Sequence, residues 1–194
     1  MRVCVFCGSR PGARPVFVES ARALAAALVA GGHELVYGGA SVGTMGAIAD
    51  RALELGGTVR GVIPSWLDTQ EITHRGLAEL VITASMHERK QRMSDLADAY
   101  VAMPGGFGTF DELFEVLTWA QIGIHQKPIG LLDVEGYFQP LLAMVAHGER
   151  EGFIAQEHVD LILVEREPAA LLDRLARYEP KDVGIKWAER RGRT

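Results

Sequence analysis

Two short stretches carry side chains whose types and spacing suit chemistry. Residues 103–112 read MPGGFGTFDE: three glycines and a threonine run straight into two carboxylates. Glycines here let backbone amides approach a ligand. A helix starting at this point adds unpaired N–H groups and a partial positive charge, and the combination favours an anion such as phosphate. A carboxylate suits a different task, facing a developing cation or orienting water. Asp111 and Glu112 are adjacent, so on a helix their side chains diverge by about 100°. At most one of them faces a ligand, and the other is solvated. Thr109-x-x-Glu112 also fits a capping box, in which Glu112 merely satisfies the backbone, and the local pattern does not decide between cap and catalyst. Residues 85–95, SMHERKQRMSD, gather cations: Arg89 and Arg92 lie three apart, with Lys90 beside Arg89. The plain alternative there is a solvated helix with Ser85-x-x-Glu88 as a second capping box.

Other motifs exclude more than they assert. YGGASVGTMG at 37–46 lacks the lysine of a Walker A loop and is not a clean G-x-G-x-x-G, which disfavours a dinucleotide cofactor. Tight strand-to-helix packing explains its glycines equally well. There is no G-x-S-x-G elbow, and the six histidines show no metal-binding spacing. Cys4 and Cys7 form a C-x-x-C inside an apparent buried strand, where an odd separation points them to opposite faces, and the full set of four zinc ligands is missing.

Positioning these residues falls to alternating strands and helices. RVCVFCG, ELVYGG, TVRGVIP, ELVITA, AYVAMPGG, KPIGLL and LILVE read as strands. Helices are expected over 15–30, 43–55, 86–97, 110–122 and 136–151, with a last one from Pro168. Nearly continuous apolar strands in this alternation predict one α/β domain over 1–178, a doubly wound (Rossmann-like) parallel sheet with helices on both faces. Residues 179–194 read as a polar tail. The loops at 7–10, 37–46 and 103–109 then share the carboxyl edge of the sheet, where such folds bind ligands.

Composition agrees. The chain of 194 residues is 48% hydrophobic and 23% charged, with a net charge of -5. That argues against non-specific nucleic-acid binding. No apolar run is long enough to span a membrane and no signal-peptide core is present, so a cytoplasmic protein is expected.

MHERK, PGGFGTFDE and LTWAQIGIHQKPIGLL, supported by VFCGSR, VYGGASVGTMG and VIPSWLDTQEITHRGL, together resemble the LONELY GUY family of cytokinin riboside 5′-monophosphate phosphoribohydrolases. Many members of that family were once labelled lysine decarboxylase-like. The resemblance runs from about residue 2 to residue 172. It implies hydrolysis of the N-glycosidic bond of a nucleoside 5′-monophosphate, including AMP-like and N6-prenylated substrates, to free base and ribose 5-phosphate. It implies Arg89 and Glu112 as catalytic, and Glu71, Lys90, Gly106, Phe107, Gly108, Thr109, Phe110, Asp111 and Thr118 as substrate contacts. No metal and no cofactor are implied, and a homodimer is. Asp111, Phe107 and Phe110 stand where glutamate, tyrosine and leucine are common in the family. The chemistry suits the residues, since cleaving a ribosyl bond builds oxocarbenium charge that a carboxylate can stabilise. Arg89 stays protonated and is a poor proton donor, so it is assigned to the phosphate or to charge on the leaving group.

Two other functions compete. One is a non-catalytic module binding a nucleotide or a molybdenum-cofactor-like ligand. The other is a pyridoxal phosphate decarboxylase, which needs a buried Schiff-base lysine. The four lysines fit that poorly: Lys90 sits in a cationic cluster, Lys127 before Pro128, and Lys181 and Lys186 in the polar tail.

Overall fold

The computed structural model describes residues 1–70 and 72–180. Seven strands make one all-parallel sheet: β1 (Arg2–Phe6), β2 (Glu34–Tyr37), β3 (Val59–Pro64), β4 (Glu79–Thr83), β5 (Ala99–Ala102), β6 (Ile129–Leu132) and β7 (Ile162–Glu165). Their spatial order is β4-β3-β2-β1-β5-β6-β7. The connecting helices are α1 (Val16–Ala30), α2 (Gly43–Glu54), α3 (Met86–Leu96), α4 (Phe107–Gln121), α5 (Gln139–Arg150), the short α6 (Gln156–Val159) and α7 (Pro168–Ala176).

Strand periodicity builds the two layers. Along β1, Val3, Val5 and Cys7 enter a core shared with α1, α2 and α7, while Cys4 and Phe6 enter a second core shared with α3 and α4. Period-two alternation thus sends the two cysteines to opposite faces, as expected, and both are free and buried. β5 repeats the pattern, with Val101 on the first side and Tyr100 on the second. The β1–β5 register, Val3↔Ala99 to Phe6↔Ala102, sets the two central strand ends level.

Two helix starts differ from expectation by three residues, while the other expected helix boundaries hold to within one. The helix expected from 136 begins at Gln139, because a 3₁₀ turn over Val134–Gly136 comes first, with Glu135 in the left-handed region at φ 52°. The helix expected from 110 begins at Phe107, three residues early, with consequences for the site. The expected polar tail lies outside the described residues from 181 onward.

Candidate active site

The strand order reverses between β1 and β5, so the loops at 7–10 and 103–106 leave the sheet side by side at a topological switch point. A Cβ on Gly105 would lie 3.0 Å from the Gly8 nitrogen.

Three of the helices that begin at this edge, α2, α3 and α4, use their N-termini differently. At α2, Gly43 (φ 61°) lies so close to the first loop that a Cβ would sit 2.4 Å from the carbonyl carbon of Ser9. The N–H groups of Thr44 and Met45 donate to the Gly8 carbonyl at 3.1 and 3.3 Å. The start of α2 is therefore closed by the protein's own backbone. At α3, Ser85 Oγ accepts from the Glu88 N–H at 3.1 Å, and Glu88 Oε2 accepts from the Ala84 N–H at 2.8 Å, so Ser85 caps the helix and Glu88 turns back onto the backbone one residue before it.

At α4 neither device operates. Gly106 caps the helix with extended backbone and no side-chain bond. Phe110 is the first residue whose N–H finds the Gly106 carbonyl, at 3.1 Å, which leaves the N–H groups of Phe107, Gly108 and Thr109 without helical partners. Thr109 is not a cap but the third helical residue. Its hydroxyl is buried and has no hydrogen-bond partner among the described residues. The carbonyl four residues back, Gly105, which a helical threonine would ordinarily use, is engaged by the Tyr137 hydroxyl.

Glu112 is thereby released from capping. Its Oε1 accepts from Arg89 Nη1 at 2.5 Å, and the two side chains are only 12% and 11% exposed. Arg89 Nε also donates to the Val62 carbonyl of β3, at 3.1 Å. Burial pushes the Glu112 carboxyl above its ordinary range, and the Arg89 charge opposes that without cancelling it. Asp111, one residue earlier, diverges as expected: it is 60% exposed and meets Lys90 Nζ at 3.2 Å. Lys90 also pairs with Glu115 at 2.9 Å. Burial lowers the Lys90 ammonium, but Glu115 and Asp111 outweigh it and the net shift is upward.

The remaining expected contacts spread along α4. Phe107 is exposed at the mouth of a cleft of about 530 Å³ that Ser9, Arg10, Phe17, Gly106 and Tyr137 also line. Gly108 is open to solvent, and Phe110 stacks on Tyr137 with ring centroids 6.4 Å apart. Thr118 is exposed, its hydroxyl donating to the Phe114 carbonyl at 2.7 Å, on the helix face that carries Asp111. Glu71 lies outside the described residues. A larger cleft, about 630 Å³, opens between α1 and the ends of β6 and β7; Glu19, Asp133, Glu135 and Glu167 line it together with Arg166, so carboxylates predominate there.

Neither Tyr137 nor Arg10 carries a motif in the sequence. Arg10 makes no ion pair among the described residues. Its place in the CGSR loop at the sheet edge was its only available signal.

An open helix start beside a buried guanidinium–carboxylate pair, at the switch point of a doubly wound sheet, marks a Rossmann-like α/β protein with free backbone amides at its ligand-binding edge. A family model described as "Possible lysine decarboxylase" matches residues 45–175. The chain is 48% identical over 177 residues to the probable cytokinin riboside 5′-monophosphate phosphoribohydrolase LOGL1 of Oryza sativa subsp. japonica, covering 91% of this chain and 79% of that one. It is 45% identical over 180 residues to the cytokinin riboside 5′-monophosphate phosphoribohydrolase LOG7 of Arabidopsis thaliana, covering 93% and 83%. The chain belongs to this LONELY GUY family of cytokinin riboside 5′-monophosphate phosphoribohydrolases.

The molybdenum cofactor binding protein of Rippkaea orientalis superposes with a TM-score of 0.67 at 21% identity, over 90% of this chain and 94% of that one. At that identity the likeness concerns the fold alone. The decarboxylase description finds no suitable lysine among the described residues. Lys90 is held by two carboxylates, and Lys127 donates to the Ser94 carbonyl at 2.7 Å, before β6 at the opposite edge of the sheet.

Proposed function

We propose that this protein hydrolyses the N-glycosidic bond of adenosine 5′-monophosphates, N6-modified ones included, releasing the free base and ribose 5-phosphate. The buried Arg89–Glu112 pair beside the open start of α4 carries the reading. The 5′-phosphate sits on the free amides of Phe107, Gly108 and Thr109, takes the Thr109 hydroxyl, and meets Arg10 across the cleft. A helix rises about 1.5 Å per residue, so Glu112 lies about 5–8 Å deeper than those amides, a distance that suits the sugar of a phosphate-anchored nucleotide.

As the C1′–N bond breaks, the ring carbon becomes cationic and the Glu112 carboxylate stabilises it and orients water. One water balances the reaction: its hydroxyl goes to C1′ and its remaining proton to the base, which leaves with the bonding pair. Arg89 counters the burial that favours the protonated form of Glu112 and presents its charge toward the departing base. Lys90, Asp111 and Thr118 line the far part of the substrate, with Glu71, Gly106 and Phe110 as the other contacts.

The protein works as a homodimer in the cytoplasm on this reading. Phe114, Ile122, Ile124, Met144 and Phe153 are exposed on α4, α5 and the segments after them, apolar surface that a second copy would cover. Two buried, unpaired cysteines suit a reducing compartment, and no helix among the described residues is long and apolar enough to cross a membrane.

The test is incubation with AMP and with N6-isopentenyladenosine monophosphate, followed by chromatography. Free base and ribose 5-phosphate should appear in equal amounts. Glu112→Gln should still bind nucleotide while turnover falls by about 10²–10⁴-fold. A wild-type protein that binds nucleotide and releases neither product would overturn the reading in favour of a binding module, and a monomer mass by sedimentation would remove the dimer.

A further inference from the structure

The glycines at 38–46 are not equivalent. Gly39 (φ 75°) adopts a backbone that side chains rarely tolerate, and Gly43 and Gly46 sit against neighbouring backbone. Gly38 has none of these reasons: its φ is ordinary, and the three atoms nearest a Cβ there would all belong to side chains. The nearest atom would be Arg89 Nη2 at 2.4 Å, then Met45 Sδ at 3.1 Å. The guanidinium that lies against this bare backbone is already fixed by three other contacts, Nε to the Val62 carbonyl at 3.1 Å and Nη1 to Glu112 Oε1 at 2.5 Å and to Met86 Sδ at 3.8 Å.

We propose that Gly38 is a positioning residue for the reaction: its missing side chain is the space into which the Arg89 guanidinium fits while it holds Glu112. An alanine there puts no strain on the backbone and meets the far end of a flexible side chain. The fold therefore tolerates it, and the cost falls on the direction of Arg89. Any retreat of Nη2 by the required ångström lengthens the Glu112 bond or the Val62 bond, because the guanidinium is planar and rigid. Misplacing a reacting group by about 1 Å costs on the order of 10²-fold in rate. The inference rests on Arg89 and Glu112 being the catalytic pair, as proposed above.

Gly38→Ala should lower kcat by roughly 10²-fold with KM changed far less, at a near-wild-type melting temperature. In an Arg89→Ala background the same substitution should change turnover less than about threefold, since the atoms it displaces are gone. Met45→Ala added to Gly38→Ala should rescue nothing. Should Gly38→Ala fail to fold, Arg89→Ala/Gly38→Ala should fold, the clash having been removed. Carboxyl ¹³C NMR gives a readout independent of turnover: Gly38→Ala should raise the Glu112 titration midpoint in the same direction as Arg89→Ala. A wild-type midpoint and wild-type kcat in Gly38→Ala, full rescue by Met45→Ala, or additive losses with Arg89→Ala would each overturn the proposal. If wild type proves inactive on nucleotides, the NMR comparison still decides the geometry on its own.

Discussion

Removing one member of the Arg89–Glu112 pair isolates a charge that is largely withdrawn from water, the side chains being 11% and 12% exposed. Glu112→Leu strands a guanidinium that cannot lose its proton, and Arg89→Met strands a carboxylate that can gain one. Breaking a buried pair typically costs about 3–5 kcal/mol, against about 0–1 kcal/mol for an exposed one. The residual exposure puts Glu112→Leu near the lower end, about 3 kcal/mol. Arg89→Met should cost less at neutral pH, because burial already favours the protonated form of Glu112. In a chain of this size 1 kcal/mol moves the melting temperature by about 2–4 °C, so Glu112→Leu should lower it by roughly 6–12 °C. The double variant Arg89→Met/Glu112→Leu strands nothing and should return to within about 1 kcal/mol of wild type, or exceed it, while remaining inactive. Calorimetry and urea unfolding of the full chain at pH 7 measure all three. Single variants that both stay within about 1 kcal/mol of wild type would mean that solvent screens the pair as at a surface. The argument for a desolvated site would then fail.

Two further expectations follow from the same geometry. The folded-state pKa of Glu112 lies above its unfolded value, so the folded protein holds the extra proton between the two, and the contribution of this group to stability falls as pH rises through that window. Activity that needs the carboxylate should rise over the upper part of the same window, and ¹³C NMR should show a midpoint above the ordinary glutamate range that climbs further in Arg89→Ala; an ordinary midpoint would contradict this. Thr109→Val removes a buried hydroxyl without a partner, so it should leave the free protein as stable or more stable by about 1 kcal/mol, yet weaken binding of ribose 5-phosphate by about tenfold; equal binding in calorimetry would separate Thr109 from the anion site.

What the sequence disclosed and what it concealed divide by distance along the chain. The strands were legible because each is a short apolar run, and the switch point followed from their alternation with helices. The divergence of Asp111 from Glu112 was legible too, since it needs only the 100° turn of a helix. The start of α4 was not. Gly106-Phe107-Gly108 has poor helix propensity, and Thr109 three residues before Glu112 imitates a cap, so local signals placed the boundary at 110. Tyr137, which engages the Gly105 carbonyl from 32 residues away, is one of the contacts that hold the loop where the helix can begin early. Ser85-x-x-Glu88 and Thr109-x-x-Glu112 are the same pattern with opposite outcomes. The first glutamate binds backbone one residue before its cap, and the second binds an arginine 23 positions upstream. Nothing within either tetrapeptide distinguishes them. The deciding partner is Arg89, which reaches the second glutamate because Gly38, on another strand's end, leaves room for its guanidinium. A capping box read from sequence is therefore a statement about backbone supply, and a buried cation across the sheet edge can outbid the backbone for the same carboxylate.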